Sequence, residues 1–237
     1  MMARDDGSNL IFLTLYIIGV TYTFNRMIDS IDDKIKYIFN KAAVDEQLKE
    51  KNLQDDIGIS FKLSPSYDMD ELKELSVSIE NKSQDLAIYV DWDNCSLVVD
   101  YSKQSRRVIR KSPDLTRDLA VPQSPSLIAP AKTFSVAVAA EDVFQRDAAT
   151  GTYKVNIPLI NVSALGKSPV KAQKVLFKQF MDGKKTLEFS LQLVLRISEL
   201  RVGISPGEDK PPMCIVNCPF TIKKLPWWYA LPWNKRR

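Results

Sequence analysis

The side chains best suited to chemistry are few in this chain and thinly spread. Among its 237 residues there is no histidine. That removes the commonest general base, the usual zinc and haem ligands, and every Ser-His or Cys-His nucleophile pair. The eight glycines are all isolated, so neither a P-loop nor a dinucleotide-binding turn can be built. The three cysteines, Cys95, Cys214 and Cys218, are too few for a disulfide framework. Cys214 and Cys218 have the spacing of helical metal ligands. In a strand their sulfurs would lie on one face about 13 Å apart, too far to bridge. Buried, small and apolar is the role expected of them, and unpaired thiols fit a reducing compartment. Asp91-Trp92-Asp93-Asn94 offers two carboxylates to a hard cation but lacks the further oxygen ligands, glycine and glutamate of a calcium loop. It reads instead as a strand end with solvated acids and an inward tryptophan. No enzyme activity, metal or cofactor is expected.

Two basic groups remain. Arg106, Arg107 and Arg110, with Lys111, would suit phosphates, lipid headgroups or a partner. Charges guarding an exposed sheet edge explain them as well and are the favoured reading. The second group is the C-terminal run containing Lys223, Lys224, Trp227, Trp228, Tyr229, Trp233, Lys235, Arg236 and Arg237. Rings of this type settle at the headgroup level of a bilayer, and basic residues beside them are drawn to anionic lipid. Pro226 and Pro232 exclude a long helix, so a membrane-interface contact is the leading reading. A docking peptide for a partner, or rings folded back on the domain, are the others. The chain carries +4 net, and Lys223, Lys224, Lys235, Arg236 and Arg237 account for five charges, leaving −1 elsewhere. A broad nucleic-acid-binding face is therefore not expected.

The element that must position all this is residues 10–24, LIFLTLYIIGVTYTF, fifteen residues without a charge. Leu10, Phe12, Leu13, Tyr16, Ile17, Ile18 and Phe24 give it its apolar surface. A span needs about 20 such residues at 1.5 Å each. Extension from Ser8 to Ile28, with Arg26 reaching outward, supplies that length. A transmembrane anchor is preferred over a core helix, and over a signal peptide, whose basic leader and small-residue cleavage site are missing. Arg26, Lys34, Lys36 and Lys41 follow the span, against Arg4 before it, which places the main domain on the cytoplasmic side.

Beyond the anchor, Ile28, Ile31, Ile35, Ile38 and Ala42 recur at helical spacing. They predict that the membrane helix, kinked near Asn25, continues as an amphipathic helix through residues 29–50. The period then changes to two. Leu75, Val77 and Ile79 form one strand and Leu86, Ile88, Val90 and Trp92 another, with a polar turn between them that predicts an antiparallel pair. More strands are predicted at residues 96–100, 107–110, 133–139, 153–157, 170–180, 187–197 and 201–204. Asp182-Gly183 reads as a hairpin turn before the cleanest of them. A proline-rich loop covers residues 112–130. Frequent turns without a βαβ rhythm suggest a mainly β fold, an antiparallel β-sandwich of Ig-like or Greek-key type, with a barrel as the alternative.

The run LSVSIENKSQDLAIYVDWDNCSLVV over residues 75–99, then SRRVI at 105–109 and the prolines at 122–130, resembles an uncharacterised family of bacterial, chiefly cyanobacterial, membrane-anchored β-sandwich proteins. The resemblance implies an anchored sandwich in a thylakoid or plasma membrane, and no catalytic residues. The expected organisation is an anchor at 1–28, an amphipathic helix at 29–50, a sandwich at 51–218 and an interface tail at 219–237. The expected function is a non-enzymatic single-span scaffold that binds a protein partner at the lipid surface, with the oligomeric state left open. A module enclosing a lipid or small ligand in an apolar cavity is the alternative.

Overall fold

The computed structural model describes residues 6–32, 34–111, 121–149, 151–199, 210–226 and 229, with the side chains of the first helix described from Asn9 to Met27. In chain order the elements are α1 (Asp6–Asp32), β1 (Lys34–Phe39), α2 (Lys41–Glu50), β2 (Ile57–Lys62), β3 (Tyr67–Asp68), β4 (Leu75–Asn81) and β5 (Leu86–Val90). Then come β6 (Ser96–Val99), β7 (Gln104–Arg110), β8 (Ser126–Ile128), β9 (Lys132–Ala140), β10 (Phe144–Arg146) and β11 (Tyr153–Val155). Last are α3 (Ser163–Lys167), α4 (Lys171–Met181), β12 (Leu187–Glu199) and β13 (Met213–Lys224).

Eleven strands form one antiparallel sheet along the path β2-β4-β9-β7-β6-β12-β13-β1-β3, with β5 and β8 as a branch beside β12. This is a half-barrel and not the expected sandwich. The reason lies in β7, whose residues Gln104–Arg107 pair with β6 while Val108–Arg110 pair with β9. One strand thus carries the ladder round the corner, and the two halves never separate into facing sheets. The open side is closed by side chains. Phe61 on the edge strand β2 packs on Phe39 and Phe220 at 4.7 and 4.8 Å between ring centres. Inside, Tyr67, Tyr37, Phe189 and Phe220 follow one another at 5.1, 6.0 and 4.8 Å.

Strand β12 is the spine. Its inner residues Leu187, Phe189, Leu191, Leu193, Leu195 and Ile197 alternate as the sequence predicts and are all buried. One flank pairs with β13 throughout; the other pairs first with β6 and then with β5. The free part of the β13 edge is covered by α2. The Gln47 side chain donates to Asn217 O at 2.8 Å and accepts from Asn217 N at 2.9 Å, while Asn40 N donates to Pro219 O at 3.0 Å. A backbone edge that would otherwise recruit another strand is thereby satisfied.

Four local expectations are corrected. Residues 29–50 are not one helix, because Lys34–Phe39 is a strand between β13 and β3; Ile35 and Tyr37 point inward with the period of a strand. Residues 170–180 form α4 and not a strand, and Asp182-Gly183 is its C-terminal cap. Gly183 has φ +69, its N–H bonds Phe180 O, and Lys184 N bonds Gln179 O, the paired bonds of a left-handed helix stop. β4 and β5 are both strands but do not pair with each other; they enter different halves of the sheet. The buried Asn81 turns that corner, donating to Leu86 O at 2.7 Å and Ile128 O at 3.1 Å and accepting from Ser83 N at 3.1 Å. Finally, α1 runs unbroken through Asn25. The strand expected at 201–204 lies outside the described residues.

Candidate membrane interface

Within α1, Asn9–Met27 is long and apolar enough to cross a membrane, and none of that window is buried. Leu10, Phe12, Leu13, Tyr16, Ile17, Ile18 and Phe24 are all exposed. Two of its threonine hydroxyls are turned back on the helix. Thr14 donates to Leu10 O and Thr23 to Gly19 O, which satisfies these groups without water. Arg26 reaches back along the helix to the Tyr22 hydroxyl at 3.4 Å.

A single residue separates the end of α1 from β1. The helix therefore opens directly onto one end of the half-barrel, where β1 and β12 begin and β13 finishes. Register defines what is there. Lys36 stands opposite Lys223, and Ile35 opposite Lys224. Lys34 pairs with Asp68 on β3. Lys224 donates to the last turn of α4, at Met181 O 3.0 Å away. Like charges placed directly opposite, as Lys36 and Lys223 are, repel.

The expected tail is shortened by this arrangement. Residues 219–224 belong to β13, and Leu225 N still donates to Lys34 O at 2.9 Å. Lys223 is exposed and Lys224 half-buried at the end of that strand, and Tyr229 N closes a turn onto Pro226 O at 2.9 Å. Trp227, Trp228, Trp233, Lys235, Arg236 and Arg237 lie outside the described residues.

The arginine group has a different role from the one expected. β7 is an inner strand, so edge protection does not apply. Each guanidinium is spent inside the molecule. Arg106 bonds Asp142 at 3.2 Å and Leu159 O at 2.5 Å, Arg107 pairs with Asp93 and approaches Glu141 at 3.7 Å, and Arg110 donates to Ser126 Oγ at 2.8 Å. The Asp93 carboxylate holds Arg107 charged more firmly than usual. Its second oxygen accepts from Gln123 N at 2.9 Å, and Asp91 bonds Arg196 at 2.9 Å and Asn94 at 3.1 Å. These acids are cross-links between the short helical turn at Trp92–Asn94, strand and loop, not solvated groups, and no acidic or thiol cluster able to hold a metal occurs among the described residues.

All three cysteines are buried and free. Burial pushes the Cys95 thiol up to about 11 and raises those of Cys214 and Cys218 as well, so at neutral pH they stay protonated.

One surface was not visible in the sequence. Pairing aligns Leu127, Tyr89, Arg196 and Met213 in a row across β8, β5, β12 and β13 on the outer face. Leu127 and Met213 are exposed, as is Ile215 beside them. The row lies at the end of β12 remote from α1. Only register brings these four positions together, and no local pattern marks them. Comparison with family models, with curated proteins and with solved structures yields no match to this chain.

Proposed function

We propose that the protein is a non-catalytic scaffold held on a membrane. In this reading α1 crosses the bilayer and the half-barrel stands on the cytoplasmic leaflet. Lys36, Lys223 and the basic, tryptophan-rich run after Lys224 meet anionic headgroups, and a protein partner binds the remote outer row. The observation that carries the reading is the bare apolar surface of α1 joined to β1 through one residue. An uncovered helix of that composition has no stable place in water, and so short a joint holds the domain against the surface. Arg26, Lys34, Lys36 and Lys41 after the span, against Arg4 before it, favour the cytoplasmic side.

Leu127, Tyr89, Arg196 and Met213 support the partner site because leucine and methionine here are exposed, and tyrosine, methionine and arginine are enriched at protein interfaces. A carrier with an apolar cavity is supported less well, because Tyr37, Phe180, Phe189 and Phe220 fill the interior. A cleft of about 520 Å³ near Tyr67, Glu74, Lys111, Phe144 and Tyr153 is open and crossed by the Lys111–Glu74 ion pair.

The test places a photo-crosslinking amino acid at Leu127, at Met213 and, as a control, at Lys62 on β2 in the membrane-resident protein. One protein adduct shared by the first two positions and missing from the third is expected. Equal adducts at all three, or none at Leu127 and Met213, would overturn the partner site.

A further inference from the structure

Residues 163–187 carry Lys167, Lys171, Lys174, Lys178, Lys184 and Lys185 and a single acid, Asp182. All six lysines are exposed. Lys184 bonds Asp182 at 3.3 Å; the other five have no acidic partner among the described residues. On α4 the spacing puts Lys171, Lys174, Val175 and Lys178 on one side, opposite Leu176, Phe177 and the fully buried Phe180. The half-exposed Val170 and Val175 lie among the ammonium groups. A helix with a packed inner face and an outer face of lysine and aliphatic groups is suited to an interface with anionic lipid.

The attachments of this segment say which way it faces. Met181 O receives Lys224, which stands opposite Ile35 at the start of β1. Val162 N donates to Asp70 at 2.6 Å, and Leu159 N donates to Leu72 O at 2.7 Å. Asp70 and Leu72 follow directly on β3, whose Asp68 and Tyr67 stand opposite Lys34 and Ile35. Gly166 lets α3 close on the Phe177 ring, since a Cβ there would lie 3.0 Å from it. The α3–α4 segment is thus pinned, at both its ends, to the part of the half-barrel where the chain leaves α1.

We infer that the Lys171–Lys174–Lys178 face of α4, with Val175, is a docking surface for the anionic lipid bilayer in which α1 is embedded. The inference rests on the proposed spanning role of α1 and adds a contact that is remote from it in sequence. The occupant is the leaflet itself: its charge complements five ammonium groups that have no acidic partner among the described residues, and the surface continues from the point where the span ends.

The test uses the full-length chain in lipid nanodiscs of phosphatidylcholine alone, or of phosphatidylcholine with one-third phosphatidylglycerol. Amine acetylation of each lysine is followed by mass spectrometry. A lysine near an anionic surface gains attraction equivalent to about a fivefold bias toward the bound position. Labelling of Lys171, Lys174 and Lys178 should therefore slow by roughly that factor in the anionic discs. High salt should restore it, and Lys82 and Lys132, at the end of β4 and β9 remote from α1, should be unchanged. Equal rates in both discs at the three α4 lysines overturn the inference while leaving α1 as a span. Slowing at Lys82 and Lys132 as well also overturns it, because the effect would not be local. Failure of the chain to stay in either disc removes the spanning role of α1 instead. A K171Q/K174Q/K178Q variant that keeps the same melting temperature should lose the lipid-dependent protection of Lys167 and Lys185; unchanged protection there counts against the face as the point of contact.

Discussion

Replacing Asn81 with alanine should destabilise the domain far more than a single small polar residue would suggest. The side chain is fully buried and makes three hydrogen bonds, to Leu86 O, Ile128 O and Ser83 N. Alanine removes all three bonds, stranding the carbonyls of the buried Leu86 and Ile128 and leaving the half-buried Ser83 N–H without this acceptor. At about 1 kcal/mol of net loss per bond, with part of the cost of each stranded group added, the expected total is about 3–4 kcal/mol. For a domain of this size that lowers the melting temperature by roughly 6–16 °C. Thermal unfolding of the two proteins in the same detergent, followed by circular dichroism, measures the difference. The expected loss should also be local, with amide exchange speeding first at Leu86 and Ile128. A shift of under 2 °C, or exchange rising evenly over the sheet, would refute the view that Asn81 ties together the two halves of the half-barrel.

Two further outcomes follow from the same structure. Stability should fall with alkali above about pH 9, because burial raises Cys95 to about 11 and Tyr101 to about 12. The unfolded chain releases these protons first, so the folded state is favoured below the ordinary pKa values and loses ground as pH rises through the raised ones. Cys95→Ala should flatten the lower part of that slope, and an unchanged slope would contradict the assignment. Gln47→Ala should expose Asn217 N and O on the edge of β13, costing about 1–2 kcal/mol and promoting concentration-dependent strand-to-strand association, read by light scattering. A variant that scatters light and melts as the parent does would show that α2 is not what protects that edge.

Much of the fold is legible because β4 alternates cleanly and the inner row of β12 recurs at every second residue, and alternation follows from a sheet with one buried face. The errors arise where two periods fit the same letters. Ile28, Ile31, Ile35 and Ile38 satisfy helical spacing, yet Ile35 and Tyr37 of the same stretch satisfy a strand, and pairing with β13 decides between them. The Ile-Lys-Tyr-Ile-Phe composition, rich in β-branched and aromatic residues, was the readable clue. In α4 the opposite holds: Lys171, Ala172, Gln173 and Lys174 are strong helix formers, with Pro169 before the helix and Gly183 after it. The sandwich expectation failed because nothing local reveals that β7 serves both halves of the sheet. Of the candidate site, the apolar span and Lys223 are legible from composition. The internal pairing of Arg106, Arg107 and Arg110 is not, since their partners Asp93, Asp142 and Ser126 are brought to them only by the fold.

Labelling from the two sides of a sealed membrane tests the central claim most directly. Its native thiols are buried, so single cysteines introduced as Ser8→Cys and Lys132→Cys can be probed with an impermeant maleimide in right-side-out and inverted vesicles. The account predicts that Ser8→Cys labels only in right-side-out vesicles and Lys132→Cys only in inverted ones, with the protein resisting alkaline extraction. Labelling of both positions from the same side, or release of the protein by alkali, would contradict it.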